Sequence, residues 1–370
     1  MTEIDIYIEF LKWCLKPDAD NIPACVSEIN WHKLKDFAKE QTIVGIYWYG
    51  IQQGIRMTDD DVLDWMSTVA AIQKRNKKMF SRCVEITEFF EKAGFKTCIL
   101  KGQGNALMYP DPSLRTSGDI DIWVDGGRKR IVEFMCKHKK PGEVVYHHAD
   151  FPIFDGVEVE VHFMPTYFEN PFSDYAFHKL TAKLFANEQF TNRVSIPDGT
   201  GQFSMPTIEF NLFYQLMHLH KHLRTEGIGL RHLVDYYYLL KAAHKQNFNN
   251  QSELNKILQR FCLTKFAGAV MYIMKNVLGL DEQFLFVQAD EEEGKFLLDV
   301  ILTGGNFGKY DERVKEIHKE GNSHFMNYFK REQFRMRLFK RYPSEVIWAP
   351  FHDLYVHYAI IKRYKRKYNL

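Results

Sequence analysis

The hydrophobic period of this chain changes twice. Up to Gly94, apolar residues recur every three or four positions, in Ile4–Leu15, Trp31–Ala38 and Val62–Phe90, which predicts amphipathic helices. After Gly94 the period shortens to two in "FKTCIL", "GDIDIWVD", "EVVYHHADFPIF" and "VEVEVHF", the alternation of half-buried strands. From Pro206 the helical period returns in "IEFNLFYQLMHLHKHL", "GLRHLVDYYYLLKAAHK", "SELNKILQRFCL" and "FAGAVMYIMKNVLG", and it persists to the end. An α+β chain of three parts follows: an N-terminal helical region over 1–95, a central unit with a mixed or antiparallel sheet over 96–204, and a C-terminal helical region over 205–370.

Local signals agree with these limits. Asn30 stands where an N-cap is needed before "WHKLKDFAKE", and Gly94 where a glycine ends the long helix. Asp155-Gly156 joins the third and fourth strand runs as a hairpin turn, while "RKRIVEFMCKHKK" between the second and third reads as a helix.

Composition excludes several classes. With 45% hydrophobic and 26% charged residues, the chain is not disordered, and its 370 residues have room for two or three cores. A net charge of +2 gives no global basic field, so any nucleic-acid contact has to come from a patch. The tail 361–370, "IKRYKRKYNL", is compatible with phosphate or RNA contact, although such runs are ordinarily solvated helix ends. Cys14, Cys25, Cys83, Cys98, Cys136 and Cys262 lack the paired short spacings of a disulfide framework or zinc ribbon. "MTEIDIYIEF" does not read as a signal peptide, and the uncharged stretch 41–55 is too short and too polar to span a bilayer. The expectation is a cytoplasmic protein without a membrane partner.

The chemistry concentrates at Asp119 and Asp121. Residues i and i+2 of a strand share a face, so the two carboxylates stand together while Ile120, Ile122 and Val124 face the other way. Such a pair repels, and one member holds a proton unless a cation neutralises both. Mg²⁺ favours hard oxygen ligands completed by water and phosphate, so D-x-D at a strand end is half of a nucleotide-Mg²⁺ site. In "VEVEVHF" the same alternation puts Glu158, Glu160 and His162 on one face, either glutamate being able to serve as a third acid. Three acids on paired strands can hold two metals, the arrangement of nucleotidyl transfer. Arg115 and Lys101 are cations suited to phosphate, with surface ion pairs to Asp111 or Asp125 as their other use.

"LKG" at 100–102, "YPDPSLR" at 109–115, "GDIDIWV" at 118–124 and "VEVEVHF" resemble the uncharacterised nucleotidyltransferase family of the polymerase-β-like superfamily. "WHKLKDFAKEQTIVGIYW" is similar to that family's helical lead-in, and "LMHLHKHLRTEGIGLRHLVDYYYL" to its His-rich helix and the helix after it. The resemblance covers most of 25–240 and implies a nucleotidyltransferase-like central domain. It implies metal ligands at Asp119, Asp121 and, from the family's E-x-H ending, Glu160, with the Lys101-Gly102 turn near the triphosphate; Arg115 and Gly118 are expected beside them on the nucleotide side. It further implies two Mg²⁺ ions, with Mn²⁺ also compatible. The activity implied is transfer of an NMP from an NTP to an acceptor that the sequence leaves open as a small molecule, sugar, peptide or RNA.

Two rivals remain. A D-x-D glycosyltransferase would use a nucleotide sugar, but no long βαβ array precedes residue 96. A catalytically inactive nucleotide- or protein-binding module is supported by the absence of the superfamily's Gly-Ser or Gly-Gly pair, since Gln103 follows Gly102.

Other motifs read as structural. His218, His220 and His222 invite a zinc site, but Leu219 occupies the place of the glutamate in H-E-x-x-H. Arg231 and Asp235, spaced i and i+4, brace their helix or touch substrate; "TGGNFGKY" at 303–310 closes a helix; Tyr236–Tyr238 face a core.

Overall fold

The computed structural model describes residues 1–185, 188–248, 250–317 and 324–368. They form two compact units, each discontinuous in sequence. A helical unit comprises 1–77, 108–116 and 215–327, and a sheet unit comprises 78–107, 117–214 and 328–370. The three sequence segments are thus shared between two units. The helix Asp59–Glu91 contributes residues 59–77 to the first and 78–91 to the second.

The sheet unit is built on four strands: β1 (Lys96–Leu100), β2 (Ile120–Asp125), β3 (His148–Asp150) and β4 (Val159–His162), in the order β1-β2-β4-β3. β1 is antiparallel to β2, β2 is parallel to β4, and β4 is antiparallel to β3. The parallel pair needs a crossover, and the helix Arg128–His138 supplies it, as its apolar period predicts. The Asp155-Gly156 hairpin is present: Phe154 bridges Val157, and Gly156 takes φ +66°, a conformation glycine adopts without a Cβ clash.

The third run is a strand over only three residues. Pro152 lacks an amide hydrogen, and 143–145 fold back onto 148–150 through Val145 N–His148 O and Asp150 N–Glu143 O bonds. A second, two-stranded sheet, β5 (Arg193–Ser195) with β6 (Gln202–Ser204), was not expected, because three-residue strands are too short to show an alternation.

Period-2 alternation sorts the side chains. Ile120, Ile122, Val124, Val157, Val159 and Val161 enter one core with Cys83, Ile86 and Phe90 of the long helix and with Ile131, Val132 and Met135. On the opposite face, Cys98, Leu100 and Trp123 pack against Phe190, Phe210 and Tyr214. That second face carries Asp121.

In the helical unit, Asn30 caps Trp31–Glu40 by accepting from the Lys33 amide. Tyr236, Tyr237 and Tyr238 are all buried. The 303–310 segment closes the helix Glu291–Gly304, with Gly305 at φ +61° donating to Ile301 O. Gly94 follows the long helix at φ +78°. Among the described residues, no helix is long and apolar enough to cross a membrane.

Candidate functional site

Parallel pairing of β2 with β4 sets Asp121 level with Glu160. Asp119 lies one residue before β2, on Asp121's side of the chain. Asp119, Asp121 and Glu160 each offer a carboxylate oxygen, and these atoms lie within 4.8 Å of one another. Glu158, the other acid of that run, is exposed and lies outside this cluster.

Asp121 is 2% exposed and doubly engaged: its Oδ1 lies 2.9 Å from Lys101 Nζ and 2.9 Å from His162 Nε2. Burial works to raise its pKa, but Lys101 and His162 outweigh burial and hold it well below the usual carboxylate range. Asp119 moves the other way. The charge of Asp121, with burial added, pushes it up to about 6. Burial opposes the charges of Lys101 and His162, yet Asp121 raises Lys101, and the hydrogen bonds of Asp121 and Glu160 raise His162. In Glu160, burial is outweighed by the His162 contact, and the carboxyl is lowered.

Lys101 and Gly102 lie just after β1, both with positive φ, +49° and +41°. For lysine this is a sparsely populated conformation, which the surrounding structure has to enforce. A Cβ on Gly102 would sit 3.7 Å from Asp119 O, so this turn lies directly against the acid-bearing chain. Gly118 is half-buried immediately before Asp119. Lys101 therefore spends its charge on Asp121, not on either acid considered from the sequence.

Arg115 belongs to the helical unit, where it makes a two-pronged pair with Asp235: Nε to Oδ1 at 2.7 Å and Nη2 to Oδ2 at 2.8 Å. Tyr109 donates to the same carboxylate at 2.5 Å, and Asn76 donates to Arg115 O. Arg231 instead donates to Thr116 O at 3.1 Å.

Sequence reasoning left His148 out of this region. It faces His162 across the β3–β4 register. Its Nδ1 is 3.4 Å from Glu160 Oε2, and His162 Nε2 is 3.3 Å from the same oxygen. His148 lies in a run whose alternation predicts a strand, but the fold-back that shortens that strand and its pairing with β4 carry no periodic signature. Among the described residues, no metal-ligating cluster includes His218, His220 or His222, although the rings of His218 and His222 are 4.2 Å apart.

A solved structure, an antigenic nucleotidyltransferase-like protein from Paracoccidioides brasiliensis, is similar over 50% of this chain and 88% of its own, with 13% identity and a TM-score of 0.32. No curated protein matches. Residues 27–279 match the family described as Uncharacterised nucleotidyltransferase, a span that includes every strand of the sheet and the three clustered acids. By that match the chain belongs to the uncharacterised nucleotidyltransferase family.

Proposed function

We propose that the chain transfers a nucleoside monophosphate from an NTP to a hydroxyl or phosphate acceptor with release of pyrophosphate, at a site centred on Asp119, Asp121 and Glu160. The observation that carries this reading is the convergence of three carboxylates from two adjoining chain segments within 4.8 Å. The donor set suits magnesium. It offers hard oxygen atoms, and Asp119, raised by the charge of Asp121, marks a place short of positive charge even with Lys101 present. When bound, Mg²⁺ supplies charge neutralisation at the triphosphate and makes the attacking hydroxyl more acidic.

The chain's own residues do the rest. Asp119, Asp121 and Glu160 hold the cations, and Lys101 fixes Asp121 and brings a second positive charge to the phosphates. The Lys101-Gly102 turn and Gly118 let backbone approach the nucleotide. Arg115 keeps its guanidinium on Asp235 inside the helical unit. The unpaired state of all six cysteines supports a cytoplasmic location.

A second reading is favoured by one contact. Lys101 Nζ already sits on Asp121 as an internal cation, which suits a module that binds nucleotide without turnover. Incubation with α-labelled NTPs, Mg²⁺ and cell extract separates the two. Wild type should pass label to an acceptor and Asp121→Ala should not. Equal labelling by both removes the proposed site, and nucleotide binding without labelling selects the second reading.

A further inference from the structure

We infer that β3 and β4 carry a site for a d-block divalent cation, formed by His148, Glu160 and His162, beside the Asp119–Asp121 pair and sharing Glu160 with it. The inference goes beyond nucleotidyl transfer and does not need it, because it rests on donor atoms alone.

The first argument is placement. His148 and His162 are direct partners across the antiparallel β3–β4 pair, so their rings leave the same face of the sheet, and Glu160 lies two residues from His162 on that face. One donor atom from each of the three residues lies within 4.8 Å of the others.

The second argument is spacing. His148 Nδ1 lies 3.4 Å and His162 Nε2 3.3 Å from Glu160 Oε2, and His148 Nδ1 is also 3.1 Å from His147 Nε2. Donors bound at about 2.0–2.1 Å to a tetrahedral ion stand roughly 3.4 Å from one another, close to the length of these two edges. The remaining edge, between the imidazoles, closes by rotation of side chains.

The third is donor chemistry. Two imidazoles and one carboxylate suit zinc, copper, nickel, cobalt or iron and suit magnesium and manganese poorly. The far nitrogen of His148, Nε2, lies 3.7 Å from Asp150 Oδ1, close enough for an ion pair and too far for a hydrogen bond. Three protein ligands leave a coordination position open, as exchangeable rather than purely structural sites do. Binding draws His162 Nε2 from Asp121, 2.9 Å away, toward the cation.

The test uses the full chain, stripped of metal, with Co²⁺ alone as probe. Wild type should show the visible d–d band of low-symmetry, nitrogen-ligated cobalt. His148→Gln should lose that band and bind Co²⁺ roughly 100-fold more weakly, at or beyond the limit for outer-shell changes. Asp119→Asn should keep the band. A band that survives His148→Gln, or that vanishes only in Asp119→Asn, overturns the assignment. Should His148→Gln not fold, pulsed EPR of wild type loaded with Cu²⁺ decides: ¹⁴N coupling from bound imidazole is expected, and its absence sinks the site. An intact nitrogen signal without label transfer leaves this site standing and removes the transferase reading, and the opposite result does the reverse.

Discussion

Lys101 Nζ lies 2.9 Å from Asp121 Oδ1, so the acid most deeply buried in the cluster is already balanced by a cation from its own chain. Removing that lysine strands a buried charge. Lys101→Met should therefore lose about 2–3 kcal/mol of stability, less than a fully unpaired case because His162 remains. A divalent cation can take over the missing charge, so Mg²⁺ should raise the melting temperature of Lys101→Met more than that of wild type. Thermal melts of both proteins with Mg²⁺ and with chelator check this, and equal Mg²⁺ shifts would refute it.

Asp119 carries the cost of clustering. Its folded-state pKa, about 6, lies above its ordinary value of 3.8. Metal-free stability from this group is accordingly present in full at low pH and lost as pH rises from 3.8 through about 6. Asp119→Asn should flatten this slope and stabilise the chelated protein at pH 7.5 by about 1–2 kcal/mol, discounted for the partial exposure of the group. Urea titrations across that pH range measure it.

The two glutamates of β4's run should separate cleanly. Glu160 belongs to the cluster and Glu158 does not. Glu160→Gln should lower the rate of label transfer by about 100-fold or more, the scale of losing a group that acts in the transition state. Glu158→Gln should stay within about twofold, as expected of an exposed side chain outside the site. Initial rates at saturating NTP decide between them.

Arg115 and Asp235 form a two-pronged pair inside the helical unit. Burial pushes the Asp235 carboxyl up, but Arg115 outweighs it and keeps the group ionised. Asp235→Ala should destabilise the chain by about 3–5 kcal/mol, since an arginine is left buried without its counter-charge. Arg115→Lys should cost less than Asp235→Ala, because a cation still faces Asp235, but more than nothing, because an ammonium cannot match both carboxylate oxygens. Denaturant midpoints of the two variants test the order.

Much of this was legible in the sequence. The switch from period 3.6 to period 2 located the sheet, and strict alternation in "GDIDIWVD" and "VEVEVHF" fixed which residues face the core, because a strand admits one apolar face. The cluster of Asp119, Asp121 and Glu160 follows from those faces plus one fact the sequence lacks, that β2 and β4 are neighbours. Composition could not disclose partners distant in sequence. Asp235, 120 residues from Arg115, is such a partner, and His148 depends on a short strand that backbone fold-back defines. Lys101 was legible as a cation but not as Asp121's own, since its strained turn is set by surroundings and not by local propensity.

The level pairing of residue 121 with residue 160 has one more outcome. Sliding β4 past β2 by a single step would present valine where the acid stands and drive a carboxylate among phenylalanines, which no hydrophobic interior tolerates. Misaligned copies are therefore disfavoured by their own interior. Any molecule of this chain that reaches its native state arrives with its acids already in line, so correct assembly and a properly set site are a single event.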